Sequence, residues 1–374
     1  MPYIKSLLDA IDAYDADGSQ AVLATVVKVE GSAYRRPGAR MLIPSYGQAI
    51  GTISGGCLES EVIQKAWWLT ESGPVVCAYS TAADDDELLS DNSYSFGLGC
   101  NGTVYILLER LVHPFVNPLL STLRQVQERG EGAAIATVLK HTGHTGERMA
   151  LTAHGQFSQP WSLTSITIQV ERDLSLVLEK RKSALHRYIA TTEEIEVFLE
   201  YIPPAHKLVV FGAGHDAQPL VSMASRLGWE VTVIDGRSQF ARAERFPQAN
   251  AVIVADSRAP FAFNPQLSGA AVVVMTHSLT QDFQWLKSAL LSDAVYIGQL
   301  GPKDRTEKLL ADINMPTDPR LHYPIGLDLG GDTPESVALA ILAEITAVLN
   351  GREGGQLKHR QQTIHELIPS RRIS

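Results

Sequence analysis

Lys207–Asp235, KLVVFGAGHDAQPLVSMASRLGWEVTVID, sets the architecture of the whole second half of the chain. An apolar run ends in a glycine turn, an amphipathic segment follows, and a second apolar run closes on an acid. That order reads as strand, loop, helix and strand. The turn, Gly212-Ala213-Gly214-His215-Asp216-Ala217, is a G-x-G-x-x-A form of the dinucleotide-binding fingerprint. Gly212 permits the tight turn, Gly214 lets backbone approach a pyrophosphate, and Ala217 is small enough for the helix to pack on the sheet. The open N–H groups of the helix start, with its partial positive charge, complete an anion site that includes the loop residues Ala213 and His215. Asp235 lies 23 residues past Gly212, where an acid commonly accepts a ribose hydroxyl. The competing interpretation is a tight strand-to-helix turn with no ligand.

Outward from this unit the pattern repeats. NAVIVAD, GAAVVVMTH, DAVYIGQLG and YPIGLDLG each read as a buried strand, with helical segments between most of them. Such alternation predicts a doubly wound parallel sheet with right-handed crossovers. A closing helix is signalled by Thr333-Pro334-Glu335, a cap, a first-turn proline and an early acid. Open α/β sheets bind ligands at the carboxyl ends of their strands, so the loops there are expected to converge. They supply His277 as a polar contact or proton carrier, Gly298 beside the ligand, and Lys303 and Arg305 for phosphate. A strand-end histidine satisfied structurally is the alternative for His277.

The preceding half has a different grammar. Ile4, Leu7, Leu8 and Ile11 mark a first helix; AVLATVVKVEG, VVCAYS and GTVYILLER read as strands, and Leu58–Thr70 as a helix. Residues 1–112 therefore make an α+β domain. Residues 113–203 form a connecting segment with a hairpin at GAAIATVL and RMALTAH, and SITIQV reads as a further strand. Two prolines punctuate its end, before the Rossmann-like domain of residues 204–350 and a loosely held polar tail, 351–374. The fold class is thus α/β, an N-terminal α+β domain followed by a doubly wound parallel sheet.

Two glycine-bounded cysteines stand out, in Ser54-Gly55-Gly56-Cys57-Leu58-Glu59 and Gly99-Cys100-Asn101-Gly102. Cys57 falls where a loop becomes a helix, a setting that lowers a thiol's pKa, and Gly55 and Gly56 give a ligand access. Both cysteines equally suit small buried turn positions. Cys77, inside VVCAYS, reads as core. Arg35, Arg36 and Arg40 share one short loop whose guanidinium forks suit phosphate, with a solvated hairpin end as the alternative. His141 and His144 form an H-x-x-H inside a glycine-rich turn, which gives little support for a metal.

The 374 residues carry 41 acids against 32 Lys and Arg, a net charge of −9. That balance argues against nucleic acid or an acidic membrane as partner. The start is an acidic amphipathic segment rather than a signal peptide, and no apolar run reaches the ~18 residues of a membrane span. Three cysteines make no disulfide framework, so a cytoplasmic protein with reduced thiols is expected.

GSAYRRPGARMLI, GTISGGCLESEV and GLGCNG in the first half, and FGAGHDAQPL, VTVIDGR, MTHSLTQD, YIGQLGPKDR and PIGLDLGGDTPESVALAILAEI in the second, resemble the XdhC/CoxI family. Its members are accessory proteins of molybdenum hydroxylases such as xanthine dehydrogenase. The resemblance covers almost the whole chain and is weakest at residues 113–195. Two departures are SGGCLE for the usual G-G-G-C-L-E and Gly99-Cys100-Asn101-Gly102 for G-C-G-G. The resemblance implies a carrier more than an enzyme: a protein that binds the molybdenum cofactor, a molybdopterin or its dinucleotide form, and protects it during sulfuration. It also implies delivery to an apo-molybdenum hydroxylase, with a cysteine desulfurase as a further partner and a homodimer as an arrangement. Cys57, with Cys100 second, would meet molybdenum or its sulfur, and the arginine loop would meet the same ligand. An NAD(P)-dependent oxidoreductase, a nucleotide sensor, and nucleotide attachment to the pterin stay open beside this.

Overall fold

The computed structural model describes residues 2–31, 35–80, 93–95, 102–158, 161–190, 193–256, 258, 263–315, 318–361 and 370–373. The chain divides in sequence between Pro204 and Ala205 into two compact units, and residues 361–374 return to the first.

The N-terminal unit begins with α1 (Pro2–Ala16), whose Leu7, Leu8 and Ile11 are buried as their helical spacing predicts. There follow β1 (Ala21–Gly31), β2 (Arg40–Pro44), β3 (Ile50–Gly51), α2 (Cys57–Leu69), β4 (Val75–Ser80), β5 (Ser93–Ser95) and β6 (Gly102–Leu111). These strands form one six-stranded sheet in the order β3-β2-β1-β6-β4-β5. Next come α3 (Pro118–Arg129), β7 (Ala133–Lys140), β8 (Arg148–Leu151), α4 (Thr167–Lys180), β9 (Ala184–Ala190) and β10 (Glu193–Ile202). The expected hairpin is present, β7 pairing antiparallel with β8.

SITIQV is not a strand. Thr164–Ile166 is a 3₁₀ turn, and α4 starts at Thr167. Ile166, Ile168 and Val170 alternate by accident. The buried stripe runs Ile166, Val170, Leu174, Val177 at helical spacing, while Ile168 is exposed. The polar tail also ends in structure, since Ser370–Ile373 adds a parallel edge strand beside β9. The second sheet therefore has five strands. Two buried ion pairs link the sheets: Arg40 Nη2 to Glu200 Oε2 at 2.5 Å, and Arg148 Nη2 to Glu109 Oε2 at 2.6 Å.

The C-terminal unit comprises β11 (Lys207–Phe211), α5 (Ala217–Arg226), β12 (Glu230–Asp235), β13 (Ala251–Val254), α6 (Asn264–Leu267), β14 (Ala270–Val274) and α7 (Leu279–Leu290). It continues with β15 (Tyr296–Gln299), α8 (Lys303–Ile313), β16 (Leu321–His322) and α9 (Pro334–Leu349). Its strands are all parallel, in the order β13-β12-β11-β14-β15-β16. This is the Rossmann order, reversing direction between β11 and β14. Val210, Val231 and Val273 pack under α5 and α9, against Leu220, Ile341 and Ile345. Val209, Phe211 and Val272 pack on the opposite face against Trp285, Leu286 and Leu309 of α7 and α8. Burial on both faces explains why these strands read as continuous apolar runs. YPIGLDLG is not the sixth strand, which is the two-residue β16 just before it. Pro324 lacks a ladder donor, and Gly326 sits at φ 106°, outside the strand region.

Candidate functional site

The site of the C-terminal unit lies where the sheet order reverses. Gly212 follows β11 at φ 120°, and a Cβ there would meet Met275 O at 2.5 Å and Thr276 Cα at 3.1 Å. The loops after β11 and β14 thus touch through backbone, and only glycine fits. Gly214 differs: it needs no positive φ, and a Cβ on it would meet nothing within 4 Å. Among the described residues nothing requires that position to be glycine, so its open face suits a ligand's close approach.

The loop is held from two sides. Asp235 Oδ2 accepts the Ala213 N–H at 2.7 Å, while Arg245 Nη1 donates to Ala213 O at 2.7 Å and to Phe240 O at 3.0 Å. Asp235 is fully buried and also accepts from Arg237: the amide at 2.9 Å, Nε at 3.0 Å and Nη2 at 2.7 Å. Burial opposes its charge, yet these bonds from Arg237 and Ala213 outweigh it and hold the carboxyl below the usual range. A carboxylate has about four acceptor sites, so a ribose hydroxyl would have to displace one of these donors to reach it.

His277, at φ 62°, is exposed, and its Nε2 lies 3.2 Å from Asp216 Oδ2 at the start of α5. The pair bridges the two loops of the reversal point. Left-handed backbone is uncommon in a non-glycine residue; the other described cases, Arg181 and Asn314, end helices α4 and α8, whereas His277 lies in the loop after β14. His215 is exposed beside it. Behind them lies the buried Asp282, which accepts from Thr276 Oγ1 at 2.5 Å, Gln299 Nε2 at 3.2 Å and Arg305 Nη2 at 2.5 Å. Arg305 is therefore spent fixing the β14 and β15 loops. Lys303 is exposed, with Glu307 at 3.7 Å. Gly298 is buried in β15, where a Cβ would strike Ile325 Cδ1 at 2.1 Å, so a packing constraint already demands glycine there.

In the N-terminal unit, Glu59 ties down the loop before Cys57. Its Oε1 accepts from Thr52 Oγ1 at 2.6 Å and the Ser54 amide at 2.9 Å, and its Oε2 from Ser54 Oγ at 2.8 Å. Burial works against its charge, but these bonds lower its pKa overall. Gly55 and Gly56 are exposed, and Gly56 caps α2 at φ 126° with open space around it. Cys57 is the first residue of α2, and Cys100 lies outside the described residues. Arg35 and Arg36 are exposed. Arg40 is not with them: it is buried, bonding Gly38 O at 2.8 Å and Glu200. His141 and His144 are engaged by Glu193 at 3.0 Å and Glu147 at 2.7 Å.

Sequence reasoning passed over Arg237, Arg245, Asp282 and Glu59. Arg237 stood in view, two residues past the strand-end acid. Arg245 carried no local signal, because its partner carbonyls belong to distant positions.

The C-terminal unit is a parallel sheet in Rossmann order with a hydrogen-bonded glycine loop at its reversal point, joined in sequence to a unit that carries a glycine–cysteine turn. Comparisons with known proteins place the chain in a family. Residues 15–80 match the model of the XdhC and CoxI family, and residues 208–345 match the XdhC Rossmann domain. A Bacillus subtilis protein, named as one of the probable subunits of xanthine dehydrogenase, is 32% identical over 339 residues, 90% of this chain and 95% of its own. The Escherichia coli molybdenum cofactor insertion chaperone PaoD is 22% identical, over 88% of this chain and 84% of its own. A crystal structure described as a xanthine dehydrogenase from Bacillus halodurans superposes at a TM-score of 0.72 with 27% identity, covering 95% of this chain and 97% of that one. The chain belongs to the XdhC/CoxI family.

Proposed function

We propose that this protein binds the molybdenum cofactor, shields it while its terminal sulfido ligand is installed, and hands it to an apo-molybdenum hydroxylase. The observation that carries this reading is Gly214, a glycine the protein's own packing does not need, on a loop held rigid by Asp235 and Arg245. Such an open, preorganised backbone fits a phosphate-bearing group. Two relatives carry names that agree, one a cofactor insertion chaperone and one a probable component of xanthine dehydrogenase.

The bound group would supply molybdenum, a soft partner for thiolate. In this chain the amides of residues 212–217 would hold phosphate, and Cys57 would offer sulfur from the first turn of α2, where open N–H groups favour the thiolate. Cys100 is the second sulfur donor in this proposal, and Arg35 and Arg36 are its exposed anion contacts. Gly56, the residue before Cys57, adds no side chain of its own and has open space around it. The protein acts by holding and transferring, and a cysteine desulfurase is the natural source of the sulfur. An NAD-dependent oxidoreductase calls for a ribose acceptor at Asp235, and that carboxylate is engaged by Ala213 and Arg237.

The test is reconstitution. Apo-hydroxylase, cofactor and a cysteine desulfurase are combined with and without this protein, and hydroxylase turnover is followed. Activation that needs the protein and falls with Cys57→Ser is the expected result. Equal activation in its absence contradicts the proposal.

A further inference from the structure

We infer that the C-terminal unit reads a phosphate monoester through Arg237, at the strand end where the fingerprint leads one to expect an acid reading a ribose diol. The inference deepens the cofactor-binding proposal and rests on it.

Asp235 has no capacity left for a diol. Its side chain is fully buried, and four donors fill it: the Ala213 amide and the amide, Nε and Nη2 of Arg237. Arg237 meets it side-on, through Nε and Nη2. The opposite edge of the guanidinium, Nη1 with the second Nη2 hydrogen, has no partner among the described residues, and the side chain is 34% exposed. That edge is a two-donor fork matched to phosphate. It is also preorganised, because Asp235 fixes its plane and the Phe240 ring lies 4.2 Å from its centre.

A second guanidinium reinforces the first. Arg245 lies 5.0 Å from the Phe240 ring and holds the Ala213 carbonyl. Its Nη2 is buried and finds no hydrogen-bond partner among the described residues, leaving a donor to be satisfied. Asp235 balances one arginine and Asp216 stands at the N-terminus of α5, so the outward edge of the Arg237 fork, rather than a net local charge, is what favours an anion. A phosphate monoester carries about −1.5 to −2 at neutral pH, whereas a ribose diol carries none. Gly236, between the acid and the arginine, is exposed and adds no side chain to obstruct approach.

Two ligands carry such a group: a pterin with a terminal phosphate, and a dinucleotide phosphorylated on its ribose. Direct binding separates them. The probes are the oxidised fluorescent pterin with its phosphate, the same pterin after phosphatase treatment, NADPH and NADH. The proteins are the full chain, Arg237→Gln and Arg237→Lys, the last keeping a charge against Asp235 while losing the fork. Melting curves accompany each titration.

In at least one pair the phosphorylated member binds about tenfold more tightly, the worth of a charge-assisted fork. That gap closes in Arg237→Lys, whose melting curve stays native. Equal binding within both pairs, binding of none of the four, or a gap that survives Arg237→Lys overturns the inference. Cofactor that co-purifies with a protein indifferent to the phosphate refutes this inference and leaves carriage standing. A phosphate preference confined to the nicotinamide pair, with no pterin bound, refutes carriage instead.

Discussion

The carboxylate of Asp235 accepts the Ala213 N–H at 2.7 Å, so the acid that ends β12 fastens the glycine loop that follows β11. The sequence pattern makes this acid a ligand contact. In the structure it is first a clamp, and its charge is balanced by Arg237.

A clamp of this kind titrates in a defined direction. Burial raises the Asp235 pKa, but the bonds from Arg237 and Ala213 lower it further, so the folded value lies below the unfolded value of about 3.9. Its stabilisation is therefore present above about pH 4 and is lost as pH falls through the folded pKa. Asp235→Asn should cost about 1–3 kcal/mol at pH 7, and the gap to wild type should narrow at pH 3. Urea unfolding at the two pH values measures both.

The two loop glycines should separate by substitution. Gly212→Ala forces a Cβ at φ 120° against Met275 O and is expected to lower stability by about 1–3 kcal/mol. Gly214→Ala meets nothing within 4 Å and should change stability by no more than about 0.5 kcal/mol, while cofactor retention falls. Thermal melts and ligand content of the two variants, side by side, decide this.

Arg40 has a structural role. Its side chain and that of Glu200 are 3% and 9% exposed, and removing one partner of a buried pair costs about 3–5 kcal/mol. Arg40→Met should show that loss in denaturant unfolding, with cofactor content per folded chain unchanged.

Cysteine chemistry gives a direct readout of environment. Burial pushes the Cys77 thiol up to about 11, so native protein treated with iodoacetamide at pH 8 should leave Cys77 unlabelled. Cys57, as the proposed sulfur donor, should label. Peptide mass spectrometry resolves the two, and rapid labelling of Cys77 would contradict its placement in the core.

How much of this was legible in the sequence follows from the range of the interactions. The Rossmann unit was readable because strand, glycine turn and helix are local, and because apolar runs buried on both faces are unambiguous. Gly212 and Thr333 carried their structural roles, a tight turn and a helix cap, in their own neighbourhoods. SITIQV failed because six residues fit both periods, and only the longer stripe through Leu174 and Val177 separates them. Arg40 and Arg305 were misplaced for another reason. Each has a buried acid as partner, Glu200 and Asp282, and those partners are 160 and 23 residues away. Sequence shows that a cation exists; only the fold shows what neutralises it.

Cofactor carriage is decided by mass spectrometry, with pterin fluorescence after oxidation, on ligand released from protein purified anaerobically from a molybdenum-replete host. A molybdopterin species at close to one per chain is the predicted result. NAD or another ordinary nucleotide, with no pterin even after cofactor is added, would contradict it.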